Sequence, residues 1–445
     1  MQRVQTFSLD GAGEVFALGQ NQTRGGAPLK WQVTEYRRLV DLRKRQWREE
    51  SIHTPAYLTG WPDPFRVIAA YDHDVAFDVD NGEPTRVDAL IERDRRAELY
   101  HHPLGFLFAA TAPGARLDNA RQAGDHDAVD LLTVDGERFT LAIDRATGLP
   151  LRVVSTGFEA ALGDVTVTTR FSAFQPSGGL TLPVRLVKSI DATVVSDLRI
   201  AETTVNANLG DLDAPDSVRS TPAPTSRVTA DEVAPGIWYL AGEGHHSVLV
   251  EFADRLTLIE APVDERRTLA VIAQARALRP GKPLTAVINT HDHFDHAGGI
   301  RTAIAEGLTV ITHAANRPFF EEAAVRPSSA IRDALSRRPK PLSLETVEEK
   351  KVLTDGTRRL EIYPVTGNRH SDTMLMVYFP AERLLVQADA YQPPRPGDPE
   401  PTGYPFAANL LENIGTRGLR VDRLLPIHGR VVPFDRLVAA TRPLK

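Results

Sequence analysis

Hydrophobic and polar positions change their rhythm near residue 225. Upstream, the strongest pattern is alternation, with side chains two apart sharing a face. Val165-Thr166-Val167-Thr168-Thr169-Arg170-Phe171 is β-branched and alternating, and Leu182-Pro183-Val184-Arg185-Leu186-Val187 repeats it apart from its proline. Asp135-Gly136 and Ala146-Thr147-Gly148-Leu149-Pro150 supply turns between such runs. Helical spacing is thinner here, and Thr34 to Glu50 is the best candidate helix. Its Arg37, Arg38, Arg43, Arg45 and Arg48 stand beside Glu35, Asp41, Glu49 and Glu50, which reads as a solvated, salt-bridged face.

Downstream, strand and helix alternate. Ser247–Phe252 and Leu256–Ile259 are apolar strand runs. Asp264 opens a helix with Leu269, Ile272, Ala275 and Leu278 on one face, stopped by Pro280-Gly281, and Leu284–Ile288 is the next buried strand. This order predicts an α/β layer fold. The break between the two rhythms is Asp211–Ser217 followed by Thr221-Pro222-Ala223-Pro224-Thr225-Ser226, proline without packing residues, which reads as a linker or surface strap. The expected division is a β-rich domain of unknown role over 1–225 and a second domain over 226–445.

With 445 residues, 42% apolar and 25% charged, the chain has the composition of a soluble globular protein with more than one core. A formal net charge of −6 gives no basic footprint for nucleic acid, so a small-molecule substrate is the expected partner. Oligomeric state is open. There is no cysteine, which excludes thiolate metal sites and a cysteine nucleophile and leaves His, Asp and Glu for chemistry. No run of 18 apolar residues predicts a membrane span. The opening Met1–Thr6 lacks the apolar core of a signal peptide and reads like the middle of a strand. Absence of cysteine suits an oxidising compartment, and with the N-terminal resemblance described below it points to the periplasm.

The chemistry is concentrated in Asn289-Thr290-His291-Asp292-His293-Phe294-Asp295-His296, directly after the buried strand Leu284–Ile288. Ligands just past the C-terminal end of such a strand lie on the rim where α/β sheets build their sites. His291 and His293, two apart, can bind one ion together, while Asp295 and His296 face a neighbouring position. Gly298-Gly299 is read as letting the next helix begin close to the metals. A closed structural zinc site takes four ligands, fewer than this chain offers once distant partners are added.

His-x-His-x-Asp-His after a buried strand resembles the metallo-β-lactamase-fold hydrolases, from about residue 230 to the end. The resemblance implies an αββα sandwich with two metals at one edge. It further implies that His370, in Thr366-Gly367-Asn368-Arg369-His370-Ser371-Asp372, joins His291 and His293 at the first metal. Asp389, after Leu384–Gln387, would bridge both ions, and His428, after Leu424–Ile427, would join Asp295 and His296 at the second. Glu260 stands where the family usually has a supporting Asp. Nitrogen and carboxylate ligands suit zinc and tolerate iron, manganese or nickel. Two cations sharing one water lower its pKa from 15.7 towards about 7, so attack by hydroxide on an electrophilic carbonyl is expected, with Asp295 and Asp389 as the catalytic carboxylates.

The bridging aspartate favours a small ester, thioester or lactone over a β-lactam. A β-lactamase-like amide hydrolase, a mononuclear iron oxygenase acting on a persulfide and a non-catalytic metal-binding protein are the alternatives. One of His245-His246 is a candidate for touching substrate or supporting a ligand. His313, His101-His102 and Asp125-His126-Asp127 are read as non-ligands, and Tyr404-Pro405-Phe406, after the proline-rich stretch Pro393 to Pro401, as a pocket wall or packing. Residues 130 to 205 weakly resemble the curved antiparallel sheets of periplasmic lipoprotein-carrier-like domains.

Overall fold

The computed structural model describes residues 4–56, 64–398 and 403–442, so Met1–Arg3 of the opening segment and the end of the proline-rich stretch lie outside the described residues. The chain forms two compact units. The first comprises 1–18, 29–157 and 165–224, and the second comprises 19–28, 158–164 and 225–445. Two short segments that a single boundary near 225 assigns to the first domain therefore belong to the second unit.

Among the described residues, the first unit is a 13-stranded sheet with three helices, the shortest of them Asp216–Arg219. Six strands wind outward from Thr6–Phe16 and seven return to Thr193–Val205, and these two strands join the halves in the middle of the sheet by antiparallel pairing, Phe7 opposite Val205. Ala89–Glu98 and Pro103–Ala110 are its longer helices, and Leu99, Tyr100, Leu104 and Phe106 join Phe7, Leu9, Val40, Trp47 and Phe139 in one core.

Thr34 to Glu50 is not a helix. It is an antiparallel hairpin of Lys30–Asp41 and Gln46–Pro55, with Arg37 opposite Glu50 and Arg38 opposite Glu49. Arg38 pairs across the strands with Glu49 at 3.6 Å, Arg48 pairs with Glu50 along its own strand at 2.7 Å, and Arg45 takes φ +58° at the turn. Arg38 is not solvated either: only 15% of its side chain is exposed, and its guanidinium lies 4.6 Å from the centre of the Trp47 ring. The proline-rich strap also differs from expectation. Leu212, Ala214 and Val218 are buried, the last two against Ala70, Val75 and Phe77, and the backbone amide of Ala214 donates to Asp72 Oδ2 at 2.7 Å. Its apolar residues are too few and too widely spaced to register as a pattern.

The second unit is an αββα sandwich. One sheet has seven strands from Thr229–Ala234 to Ser343–Val347, with Leu256–Ile259, Leu284–Ile288, Thr309–His313 and Ser343–Val347 parallel. The other has six, from Lys351–Thr354 to Val432–Pro433. Ile237, Val248, Ile259 and Ile288 of the first meet Ile362, Val377, Val386 and Leu425 of the second in one apolar layer. Pro405–Thr416 and Phe434–Ala440 cover the outer face of the six-stranded sheet through Leu410, Ile414 and Leu437. Asp264 caps the helix Glu265–Leu278 by accepting from the Arg267 amide. Among the described residues, no helix is long and apolar enough to cross a membrane.

Candidate metal centre

Three strands stop at the same rim and each is followed by a candidate ligand. Leu284–Ile288 leads to His291 and His293, Leu384–Gln387 to Asp389, and Arg423–Pro426 to His428. His370 comes from the loop between Arg359–Pro364 and Leu375–Phe379, where Asn368 Oδ1 accepts from the His370 amide at 2.8 Å. Burying both faces of these strands fixes their ends, so residues far apart in sequence converge.

The convergence forms two groups. One ligand atom from each of His291, His293, His370 and Asp389 lies within 4.8 Å of the others, and the same holds for Asp295, His296, Asp389 and His428. Asp389 belongs to both. Its Oδ2 is 3.2 Å from His291 Nε2, 3.0 Å from His296 Nε2 and 2.8 Å from His370 Nε2, while Oδ1 is 2.9 Å from His428 Nε2.

The donor set fits cations. His291 Nε2, His293 Nδ1 and His370 Nε2 are buried and make no hydrogen bond, although a buried polar atom without a partner is costly. His296 Nε2 and His428 Nε2 face each other at 3.1 Å, a geometry that needs a proton or a cation between two lone pairs. Burial and the neighbouring His296 push His291 well below its ordinary pKa, and burial with His370 takes His293 down to about 4. These rings therefore present lone pairs at neutral pH. Burial opposes ionisation of Asp389 and Asp295, but the surrounding histidines, His296 foremost, together outweigh it and hold both carboxyls below the usual range.

The far sides of His428 and His293 are held as well. His428 Nδ1 donates to the Gly244 carbonyl at 2.9 Å, and His293 Nε2 donates to the Asn21 carbonyl at 3.0 Å. Glu260 is fully buried, accepts from the Thr290 amide at 2.7 Å, and sets Oε2 3.3 Å from His296 Nδ1. Such outer partners fix the tautomer that turns the other nitrogen to a metal. Glu260 and Val263 take φ +74° and +66°, and the β-branched Val263 is a genuine outlier there. That strained turn lets the Val263 amide donate to the Asp295 carbonyl at 2.8 Å, tying it to the ligand loop.

Residues 240–428 match the family model described as the metallo-beta-lactamase superfamily. They form a metallo-β-lactamase-superfamily domain. Across 76 residues, 17% of this chain, the sequence is 33% identical to a linear primary-alkylsulfatase from Pseudomonas sp., and the chain spans 11% of that curated relative's length. Among solved structures, a metallo-beta-lactamase from Pontibacter korlensis aligns with TM-score 0.37 and 15% identity over 48% of this chain and 96% of its own. The sec-alkylsulfatase Pisa1 from Pseudomonas sp. aligns with TM-score 0.35 and 19% identity over 47% of this chain and 40% of its own. Neither structural likeness bears on substrate.

All seven candidate ligands thus lie in the two groups of the metallo-β-lactamase domain. Of the residues weighed beside them, His245 reaches the site, with Nε2 3.2 Å from Asp295 Oδ2, and the buried Arg267 holds the His245 carbonyl at 3.0 Å. His246 turns away and donates to the Gly429 carbonyl, and His313 caps a short turn at Ala315. Phe406 packs against His370 with ring centres 5.6 Å apart. Gly298 and Gly299 serve a different purpose from the one expected. A Cβ on either would fall 1.9 Å from the Val263 carbonyl or 1.7 Å from Thr268 Oγ1, so they admit the strained turn and the neighbouring helix rather than the metals. Sequence reasoning missed Gln20, whose Nε2 donates to Asp295 Oδ1 at 2.6 Å, and the Asn21 carbonyl.

Proposed function

We propose that this metallo-β-lactamase domain is a metal-dependent hydrolase that holds two divalent ions, zinc first among them, and cleaves a small ester, thioester or lactone. The carrying observation is Asp389, whose carboxylate belongs to both groups, Oδ2 lying beside His291, His370 and His296 and Oδ1 beside His428. His291, His293 and His370 would hold one ion, Asp295, His296 and His428 the other, and Asp389 both. Ions bound there supply Lewis acidity and lower the pKa of a water towards neutrality. Glu260 and the Asn21 carbonyl keep His296 and His293 in the ligating tautomer. His245 can carry a proton at Nε2 beside Asp295. Phe406 and its neighbour Tyr404 give the rim an apolar wall suited to an uncharged substrate body.

A second reading, hydrolysis of an alkyl sulfate ester, is favoured by the local identity to a linear primary-alkylsulfatase. The two are separated by assaying metal-loaded protein on a lactone, a thioester, a carboxylic ester, a penicillin and a linear alkyl sulfate, with ion content measured alongside. We expect acyl substrates to turn over faster than the penicillin, and Asp389→Ala to lose one ion and most turnover together. Cleavage of the alkyl sulfate alone selects the second reading. Efficient penicillin turnover with no ester, thioester, lactone or sulfate cleavage overturns both.

A further inference from the structure

The segment Gly19–Pro28 lies between two strands of the first unit in sequence, some 210 residues before the family match begins at 240, yet it is part of the second compact unit. Its contacts fall on the ligand-bearing loops. The Gly19 carbonyl accepts from the Phe294 amide at 3.3 Å, Gln20 donates to Asp295, and the Asn21 carbonyl accepts from His293. The Gln22 carbonyl accepts from the Asp372 amide at 2.9 Å, and Thr23 Oγ1 donates to the Asp372 carboxylate at 2.7 Å. Arg24 pairs with Glu322 at 2.9 Å. One strand of chain thus fastens the His291–His296 motif, the His370 loop and the helix Arg317–Val325.

We infer that Gly19–Arg24 is a built-in outer shell of the metal centre and that Gln20 is a positioning residue for Asp295; this rests on the two-ion reading above. Asp295 has two carboxylate oxygens with different neighbours. Oδ2 lies 3.2 Å from His245 Nε2, 3.4 Å from His296 Nε2 and 3.7 Å from His428 Nε2, facing the second group with a lone pair to spare beyond the His245 contact. Oδ1 is taken by the Gln20 amide, which fixes the carboxylate's rotation and leaves Oδ2 as the ligating atom. The Asn21 carbonyl does the corresponding service for His293, since a proton held at Nε2 leaves the lone pair on Nδ1, the atom that lies buried and unbonded. Gly19 makes the approach possible. Its φ of +68° suits glycine, and a Cβ there would fall 2.2 Å from the Phe294 ring.

The test is a cobalt(II) titration of the metal-free full-length protein, following the visible absorption of each bound ion. Gln20→Ala should weaken one of the two ions by about 10- to 100-fold while leaving the other within about 2-fold, the range set by loss of an outer partner. Gln20→Glu keeps the shape but sets a like charge against Asp295, and should weaken that ion further than Gln20→Ala. Gly19→Val displaces the segment and should weaken both ions. The Gln20 variants change a side chain at the rim, so equal unfolding midpoints of their metal-free forms would separate positioning from general stability. Wild-type protein that takes up two ions, with both Gln20 variants matching it, overturns this inference alone. Wild-type protein that binds no cobalt overturns the two-ion reading along with it.

Discussion

Each unit buries a cluster of polar side chains, and the two clusters are solved differently. In the first, Glu98 pairs with Arg38 at 3.4 Å and with Lys188, and Tyr36 donates to Glu49 at 2.8 Å. His101 bonds Thr169 Oγ1 and Ser155 Oγ, one at each ring nitrogen. Burial pushes the Glu98 carboxyl up, but Lys188 and Arg38 outweigh it and keep it ionised. The cluster is nearly closed, with His102 Nε2 its one buried orphan. In the second unit, His291 Nε2, His293 Nδ1 and His370 Nε2 converge around the Asp389 carboxylate without a hydrogen bond, while the opposite nitrogen of His293 is held by the Asn21 carbonyl. Both arrangements cost desolvation. The first recovers it within the protein, whereas the second is left for a bound cation to offset. Orphaned nitrogens that share a focus therefore mark chemistry more reliably than burial or charge density.

The comparison breaks most visibly at His291. His291→Ala removes a nitrogen from the first group and should reduce turnover to background and lower bound metal, while the first unit's amide protection stays as in the parent. Metal analysis with hydrogen exchange checks both halves. Unchanged metal content and turnover would mean that the converging nitrogens are not ligands.

The matching change in the first unit is Glu98→Ala. It leaves Lys188 without its carboxylate and Arg38 with only Glu49, at 3.6 Å. Breaking a fully buried pair costs about 3–5 kcal/mol because the remaining charge is uncompensated, and with Arg38, Glu98 and Lys188 only partly buried the loss falls below that range. Exchange at the amides of Pro103–Ala110 and Thr6–Phe16 should accelerate accordingly, with ion content unchanged. Loss of metal in this variant would show that the two clusters are not independent.

What the sequence made legible follows the same line. His291, His293, Asp295 and His296 were readable as one motif behind a buried strand, and His370, Asp389 and His428 through the resemblance that this motif carries. Glu260 was readable as a support through the same resemblance, since it stands where the family usually has a supporting Asp. Gln20 and Asn21 were not, since a polar side chain bonded to a partner 275 residues away leaves no local pattern. The hairpin at 30–55 was misread for a related reason. Five arginines among acids satisfy helical i,i+4 spacing as well as cross-strand spacing, and the deciding residues, Val33, Tyr36, Val40 and Trp47, declare a face only once the core they enter is known.

The smallest effect sharpens the comparison through pH. Burial holds His101 down at about 4 and His102 at about 3, against an ordinary value of 6.5. The folded first unit keeps both rings neutral, whereas the unfolded chain takes up protons on them as pH falls below 6.5. Unfolded protein then binds more protons than folded, so stability is complete above 6.5 and declines with acid until the folded rings protonate. Each histidine contributes a slope of up to about 1.4 kcal/mol per pH unit across that window. His101→Gln can keep a hydrogen bond to Thr169 or Ser155 without titrating. Exchange protection of Thr6–Phe16 measured from pH 7 to 5 should therefore fall less steeply in that variant than in the parent. Removing metal with a chelator should leave this slope unaltered, because no candidate ligand lies in the cluster. An acid slope that His101→Gln does not change, or that vanishes with the metal, would place the acid sensitivity in the second unit instead.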